Sequence, residues 1–286
     1  MSGQLTLVQM GAMAETIRQD IIRMLEHAGS GHSAGPLGLA DIFTALYFNI
    51  LRHDPAKPDW SERDILVLSN GHTVPVRYAA MARAGYFPVE EIMTLRKLGT
   101  RLQGHPERTK LPGVETTSGP LGSGLSQAAG MAYVLKNIDH DAHRWVYTIM
   151  GDGELNEGNI WEAAMFSGKY KLHNLIGIID RNNIQIDGNT EDVMPLEDLR
   201  AKWQAFGWHV QEVDGHNIES IIDACSMARA IVEKPSVIIA HTIPGKDVDF
   251  MEYDYHWHGM PPNSEQAKKA LHELRTLKGK IRSEHQ

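Results

Sequence analysis

Two short segments carry the strongest chemical signal. Gly151-Asp152-Gly153 and, about 30 residues later, Arg181-Asn182-Asn183 each follow a run rich in β-branched residues. That separation is one strand–helix–strand crossover, which returns both segments to the same edge of a parallel sheet. Asp152 offers a carboxylate and Asn182 a carbonyl oxygen. Both are hard donors suited to magnesium, which takes one or two carboxylates and completes its shell with ligand phosphate oxygens and water. Gly151 and Gly153 let the backbone approach a phosphate closely, and a following helix presents its N-terminus to an anion. The pair reads as a clamp for a metal and a diphosphate. Gly-Asp-Gly alone is a common turn. Its pairing with Asn182-Asn183-Ile184-Gln185-Ile186-Asp187-Gly188 makes it specific.

Histidine gives the second signal. Of 15 histidines, His32, His72, His105 and His258 sit in loops of small residues: Ser30-Gly31-His32-Ser33, Asn70-Gly71-His72, Gly104-His105-Pro106-Glu107 and Trp257-His258-Gly259. Any one alone reads best as a histidine bonded to nearby backbone. Together, around one anion site, they suit proton exchange with ligand oxygens, because imidazole titrates near neutral pH. Zinc is the rival use, since His256 and His258 are close in sequence. Their spacing matches no common zinc pattern, and the single cysteine, Cys225, leaves no second thiolate.

These residues need a scaffold that brings them to one edge. Strands are expected over 65–69, 145–150, 175–180, 209–214 and 236–242, nearly continuous apolar runs that suit strands covered on both faces. Helical patterns over 73–84, 122–137, 159–170, 196–206 and 217–232 alternate with them. The expected fold class is therefore α/β, a three-layer α/β/α arrangement with a mainly parallel central sheet. An N-terminal helix over 8–27 should end at Gly29 in a left-handed cap, and Ser264 should cap a C-terminal helix. Ligands of such sheets bind beyond the carboxyl ends of the strands. The long loops 100–119 and 244–263, rich in histidine and glycine, are expected to be functional. No linker or repeat interrupts the series, so residues 1–286 are expected to form a single domain.

Bulk properties exclude other classes. A formal net charge of -8 with scattered Lys and Arg argues against a nucleic-acid partner. The basic tail, Lys268, Lys269, Lys278, Lys280 and Arg282, fits the solvated end of a final helix. One cysteine excludes an intrachain disulfide and suits a reducing, cytoplasmic setting, and its helical context points to a buried, inert thiol. The first residues lack a basic-then-apolar leader, and no run approaches the ~18 apolar residues of a membrane span.

The segments SGHSAGPLGLADIFTALYF, LSNGH, GHPE, TTSGPLGSGLSQAAGMA, MGDGELNEGNIWEAA, DRNNIQIDG and WHGMPP occur in this order across most of the chain. In this they resemble the successive motifs of the N-terminal domain of the transketolase family. The resemblance implies a diphosphate-binding domain that takes thiamine diphosphate and magnesium, with calcium or manganese able to substitute. It implies that Asp152, Asn182 and the backbone oxygen of Ile184 hold the metal, and that His72, Gly153 and His258 contact the diphosphate. Gly119, Leu121 and Ile186 would flank the cofactor rings. His32 and His105, together with His258, would act on the donor sugar. Glu157 and Glu162 match acidic residues near a subunit interface that links paired sites, Glu157 being counted with the cofactor set.

In the family a second, pyrimidine-binding domain supplies the glutamate that activates the cofactor, and a third domain follows. This chain ends at Gln286. The expectation is thus the N-terminal subunit of a split transketolase, paired with a separately encoded C-terminal subunit in an α2β2 heterotetramer. Its reaction would pass a two-carbon ketol unit from a ketose, phosphorylated or analogous, to an aldose. Where the split enzymes read close to KGKGVSFME, this chain has Pro244-Gly245-Lys246-Asp247-Val248-Asp249-Phe250-Met251-Glu252, and Tyr253, Asp254 and Tyr255 follow. Ser118 and Ser123 also depart from the common residues. These changes direct attention to an unusual donor, a sulfo- or branched sugar. Two alternatives stand beside this. A subunit of a thiamine-dependent 2-oxo-acid dehydrogenase or decarboxylase would share the two clamp motifs but not need His32 or the GHPE motif. A cofactor-binding assembly subunit would have lost catalysis.

Overall fold

The computed structural model describes residues 5–141 and 143–276. Lys278, Lys280 and Arg282 of the basic tail lie outside the described residues, as do residues 1–4. Among the described residues no helix is long and apolar enough to cross a membrane. The strands are β1 (Ile65–Leu68), β2 (Val146–Gly151), β3 (Leu175–Arg181), β4 (Ile184–Gln185), β5 (Gly188–Asn189), β6 (His209–Asp214) and β7 (Ser236–His241). Five of them make one sheet in the order β1-β2-β3-β7-β6, every neighbour parallel, and β4 and β5 pair as a small antiparallel hairpin. The helices are α1 (Leu7–Ala28), α2 (Ala34–Gly38), α3 (Ala40–Ala45), α4 (Val74–Ala84), α5 (Ser123–Asn137), α6 (Gly158–Lys169), α7 (Thr190–Val193), α8 (Leu199–Ala205), α9 (Ile218–Ala230) and α10 (Ser264–Thr276).

The apolar strands fill two cores because successive side chains leave a strand on opposite faces. Leu66, Leu68, Tyr147, Ile149, Ile176 and Ile178 join the core built with α1, α3, α4 and α9. Ile65, Val67, Val146, Met150, Leu175 and Ile179 join the other, built with α5, α6 and α8. The expected three layers are therefore present, with each expected strand found to within a residue or two. The fifth strand differs in one respect. β6 is one edge of the sheet, and Glu212 and Asp214 are exposed rather than covered on both faces.

Helix ends follow local chemistry. Gly29 closes α1 at φ 67, the left-handed cap expected of it. At the other end Thr6 and Gln9 form a reciprocal capping box. Ser264 is not the cap of α10. Asn263 Oδ1 accepts the Gln266 amide and Gln266 Oε1 accepts the Asn263 amide, so the cap lies one residue earlier and Ser264 opens the helix. Helices α2 and α3, separated only by Leu39, are buried at every residue, Asp41 and Thr44 included, which gives no amphipathic period to read.

Candidate active site

The clamp loops leave neighbouring strands at the same height. Leu68 of β1 pairs with Ile149, two residues before the end of β2, and Gly151 pairs with Asp180 of β3. The three exits therefore open onto one cleft with about 610 Å3 of empty space. Its lining includes Asn70, His72, Leu121, Asp152, Gly153, Asn182, Ile184, Ile186 and His258.

Asp152 is the best-held group in it, 1% exposed. Its Oδ1 accepts from the Gly153 amide at 2.7 Å, and its Oδ2 from the Asn183 amide at 2.7 Å and from Arg181 Nη1 at 3.1 Å. Asn183 reaches it by adopting φ 64, a left-handed conformation that asparagine tolerates better than most residues. Arg181 is shared with Glu191 and Glu197, each at 2.7 Å. Burial pushes the Asp152 carboxyl above its usual range despite these donors. Asn182 is oriented from behind. Its Nδ2 donates to Asp180 Oδ2 at 2.8 Å, and its Oδ1 accepts the Ile184 amide at 3.1 Å. Asp180 also accepts from the Thr242 hydroxyl, and burial lifts its carboxyl to about 7.

Three of the loop histidines meet. Ring centroids of His32 and His72 are 4.8 Å apart, His72 and His258 5.2 Å, and His32 and His258 5.6 Å. His105 is more exposed but close enough to act electrostatically on His32 and His72. Burial, then the neighbouring His258, Arg96 and His105, lowers His32 to about 4. Burial is also the largest cause of the lowering at His72, His258 and His105. At neutral pH the cluster is uncharged, so each ring offers one donor and one acceptor nitrogen. His256, by contrast, is exposed, bonded to Asp254 Oδ1 at 2.7 Å and stacked on Tyr255, so it forms no pair with His258. Among the described residues no group of three His, Cys, Asp or Glu side chains forms a metal cage.

The sign of the resulting pH dependence follows directly. The histidines have lower pKa values in the folded chain than the ordinary 6.5, so the unfolded chain binds more protons below that value. The histidines therefore contribute stability that is gained as pH rises from about 4 toward about 6.5, while the raised carboxyls of Asp152 and Asp180 act in the opposite sense. Urea midpoints of parent and His32→Asn at pH 5 and pH 7 isolate the histidine part. The variant should gain less, or lose more, between pH 5 and pH 7 than the parent, and an unchanged difference would contradict it.

Two residues of the cleft lining carry buried polar atoms without partners, both amide atoms of Asn70 and Gln185 Nε2, and His32 Nδ1 and Ser118 Oγ are unpaired too. Each such group costs about 1–3 kcal/mol when left unmet. Unpaired donors and acceptors in the lining suit a polar ligand. The floor is also kept low by glycine, since a Cβ at Gly153 would lie 3.2 Å from Gln185 Cβ. The residues fit a metal-bound diphosphate. Hard oxygens lie at Asp152, Asn182 and Ile184, uncharged imidazoles stand beside them, and unspent donors wait in the wall.

The other residues named from the sequence divide between the cleft and its surroundings. Leu121 and Ile186 line the cleft as exposed apolar surface. Gly119 stands nearby, half-buried, with open space where a Cβ would be. Glu157 is exposed outside the lining and packs on Gly122, while Glu162 lines a separate groove between α5 and α6 with Ser126, Asn159 and Phe166. Neither Asp247 nor Asp249 lines the cleft. Asp247 adopts φ 66, a conformation glycine would take freely, and contacts Lys246 at 3.0 Å and Arg18 at 3.6 Å. Asp249 donates its amide to Glu273 of α10 at 2.9 Å. Asp247 and Asp249 thus bear on α1 and α10, which weakens the link drawn from them to substrate choice.

Sequence reasoning assigned no role in the site to Asn70, Glu154, Asp180 or Arg181, although each lies inside a segment quoted above. Glu154 is 3% exposed, and its carboxylate accepts from the Ser69 hydroxyl, the Gly122 amide at 2.7 Å and the Gly151 amide at 3.1 Å. Ser69 Oγ in turn accepts the Gly124 amide at 3.0 Å. Glu154 thereby joins the exits of β1 and β2 to the start of α5, where Gly122 sits at φ 85 and a Cβ on Gly124 would fall 2.3 Å from Ser69.

With this geometry in view, residues 10–277 match the family of the transketolase thiamine diphosphate binding domain. The chain is 45% identical over 261 residues to the 6-deoxy-6-sulfo-D-fructose transketolase subunit SqwG of Clostridium sp. strain MSTE9, covering 91% of this chain and 94% of that protein. It is 41% identical over 272 residues to an apulose-4-phosphate transketolase subunit of Phocaeicola vulgatus, covering 95% and 96%. Among solved structures, transketolase from Leishmania mexicana superposes with a TM-score of 0.89 at 31% identity, over 96% of this chain and 42% of that one. The chain belongs to the transketolase family, and its matched region is the family's thiamine diphosphate binding domain.

Proposed function

We propose that this chain is the N-terminal, cofactor-binding subunit of a two-subunit transketolase, moving a two-carbon ketol unit from a ketose to an aldose. The observation that carries the reading is the single cleft in which the Asp152–Asn182 clamp meets the His32–His72–His258 cluster. Asp152, Asn182 and the Ile184 carbonyl would hold magnesium, and His72, Gly153 and His258 would face the diphosphate. Bound there, thiamine diphosphate supplies the carbon nucleophile and electron sink that ketol transfer needs. The chain's own residues do the rest. Leu121 and Ile186 offer apolar surface to the cofactor rings. His32, His105 and His258, uncharged at neutral pH, can accept a proton from a sugar hydroxyl and return it to a developing alkoxide. Fixing the sugar against the nucleophile is itself worth several orders of magnitude in rate.

The reading extends to partner and substrate. The two relatives above are named as subunits of transketolases, which supports a separate companion chain here. An α2β2 assembly in the cytoplasm, with residues 1–286 as one domain, belongs to the same proposal. Their names specify sugars with a sulfonate and a phosphate, which supports a ketose donor with an anionic end group.

Supplied with thiamine diphosphate and magnesium, the chain alone should transfer no ketol units from such donors, and its companion should restore transfer. Turnover by the chain alone would remove the pairing, and decarboxylation of pyruvate without ketol transfer would favour the 2-oxo-acid alternative. In the complex, His105→Ala should lower kcat by about 10²–10⁴ while cofactor affinity stays near that of the parent. Unchanged kcat would remove His105 from the chemistry.

A further inference from the structure

We propose that Asn70 is a cofactor-contacting residue, whose carboxamide, unpaired at the floor of the cleft beside the Gly151-Asp152-Gly153 turn, hydrogen-bonds the bound diphosphate. This rests on the reading of the cleft as the thiamine diphosphate site.

Asn70 is 1% exposed, and neither Nδ2 nor Oδ1 has a partner, so the amide is unpaired whichever way round it lies. An asparagine at a strand exit ordinarily serves the local backbone, capping a helix or bonding the amide two residues on. Here it does neither. The exit of β1 is turned by backbone alone. Asn70 lies at φ -74 and ψ 64, and the Gly71 amide donates to Ser69 O at 2.8 Å, which is an inverse γ-turn. The following 3-10 turn makes no side-chain cap, and Thr73 bonds the Asn70 backbone oxygen through both its amide and its hydroxyl. The side chain is thus free of any folding duty. It stands against the neighbouring strand exit, 3.8 Å from where a Cβ on Gly151 would be. A carboxamide there offers N–H donors to an anionic oxygen and a carbonyl to a water carried in with it.

A residue kept for the ligand at the expense of the empty fold leaves opposite marks on two measurements. In the full chain, Asn70→Leu removes the amide and keeps the branched outline, adding methyl volume where the side chain borders the cleft. The urea midpoint of the cofactor-free variant should equal or exceed that of the parent. Its dissociation constant for thiamine diphosphate with magnesium, titrated calorimetrically in the complex with the companion chain, should rise about tenfold to hundredfold. Asn70→Asp, which keeps the shape but turns a charge toward the diphosphate, should bind more weakly still and serves if the leucine variant fails to fold. Affinities within about twofold of the parent in both variants would overturn the assignment while leaving the cofactor site in place. A leucine variant less stable without cofactor would overturn it too, by showing a structural role. A parent complex that binds no thiamine diphosphate would instead sink the reading of the cleft and the assignment with it.

Discussion

Asp152→Asn is expected to lower affinity for thiamine diphosphate and magnesium by more than about a hundredfold while leaving a folded chain. Even residues one step removed from a metal typically cost about 10–100-fold in affinity, so loss of the carboxylate proposed to hold the metal should exceed that. The fold should survive because two effects on the ligand-free chain oppose one another. The asparagine brings an amide into a place arranged for an acceptor, against the Gly153 and Asn183 amides and Arg181. It also removes a charge that burial disfavours, and Arg181 keeps Glu191 and Glu197 as counter-charges. The net stability change should stay within about 1–3 kcal/mol. Calorimetric titration in the complex, beside urea unfolding of the chain, separates the two quantities. Affinity near that of the parent would mean that the metal is not held by Asp152.

Glu154→Ala should have the largest effect on stability, a loss of about 3–5 kcal/mol. The substitution strips one acceptor pair from three donors at once, the Ser69 hydroxyl and the Gly122 and Gly151 amides. Each buried donor left unmet costs about 1–3 kcal/mol, and the vacated side-chain volume adds a cavity. A carboxylate at this place also favours the N-terminus of α5, where the Gly122 amide points at it. Glu154→Gln keeps the volume and one acceptor oxygen, and should lose less than half as much. Urea denaturation of the ligand-free chain measures both. A Glu154→Ala variant within about 1 kcal/mol of the parent would show that the β1, β2 and α5 junction does not depend on it.

The contrast between these residues explains what is legible in the sequence. Asp152 and Asn182 announce themselves because their chemistry is local. A glycine-flanked carboxylate after one strand and an asparagine after the next is a pattern within one crossover. The strands are legible for a similar reason, since runs such as 175–180 are apolar on both alternations and so belong between two cores. Glu154 is not, because two of its three partners are 32 and 85 positions away and nothing nearby in sequence foretells them. Asn70 stands out in sequence only as part of a strand exit, and its distinction is the lack of a partner, which only a packed structure can reveal. Asp247 misleads through its composition. Its charge suggests an effect on substrate, whereas its left-handed backbone and its contacts with Lys246 and Arg18 tie it to α1.

Cys225, in α9 where the helix packs on the sheet, is 1% exposed, and burial lifts its thiol to about 12. With a single sulfhydryl in all 286 residues, the chain carries its own clock for breathing motions. A disulfide reagent can modify that atom only when α9 lifts from the core it packs on, because the reactive thiolate is both hidden and scarce in the closed form. When reclosing outruns modification, the labelling rate reports the free energy of that opening. The same measurement made with and without cofactor would show whether filling a cleft at the ends of β1, β2 and β3 tightens the far side of the molecule.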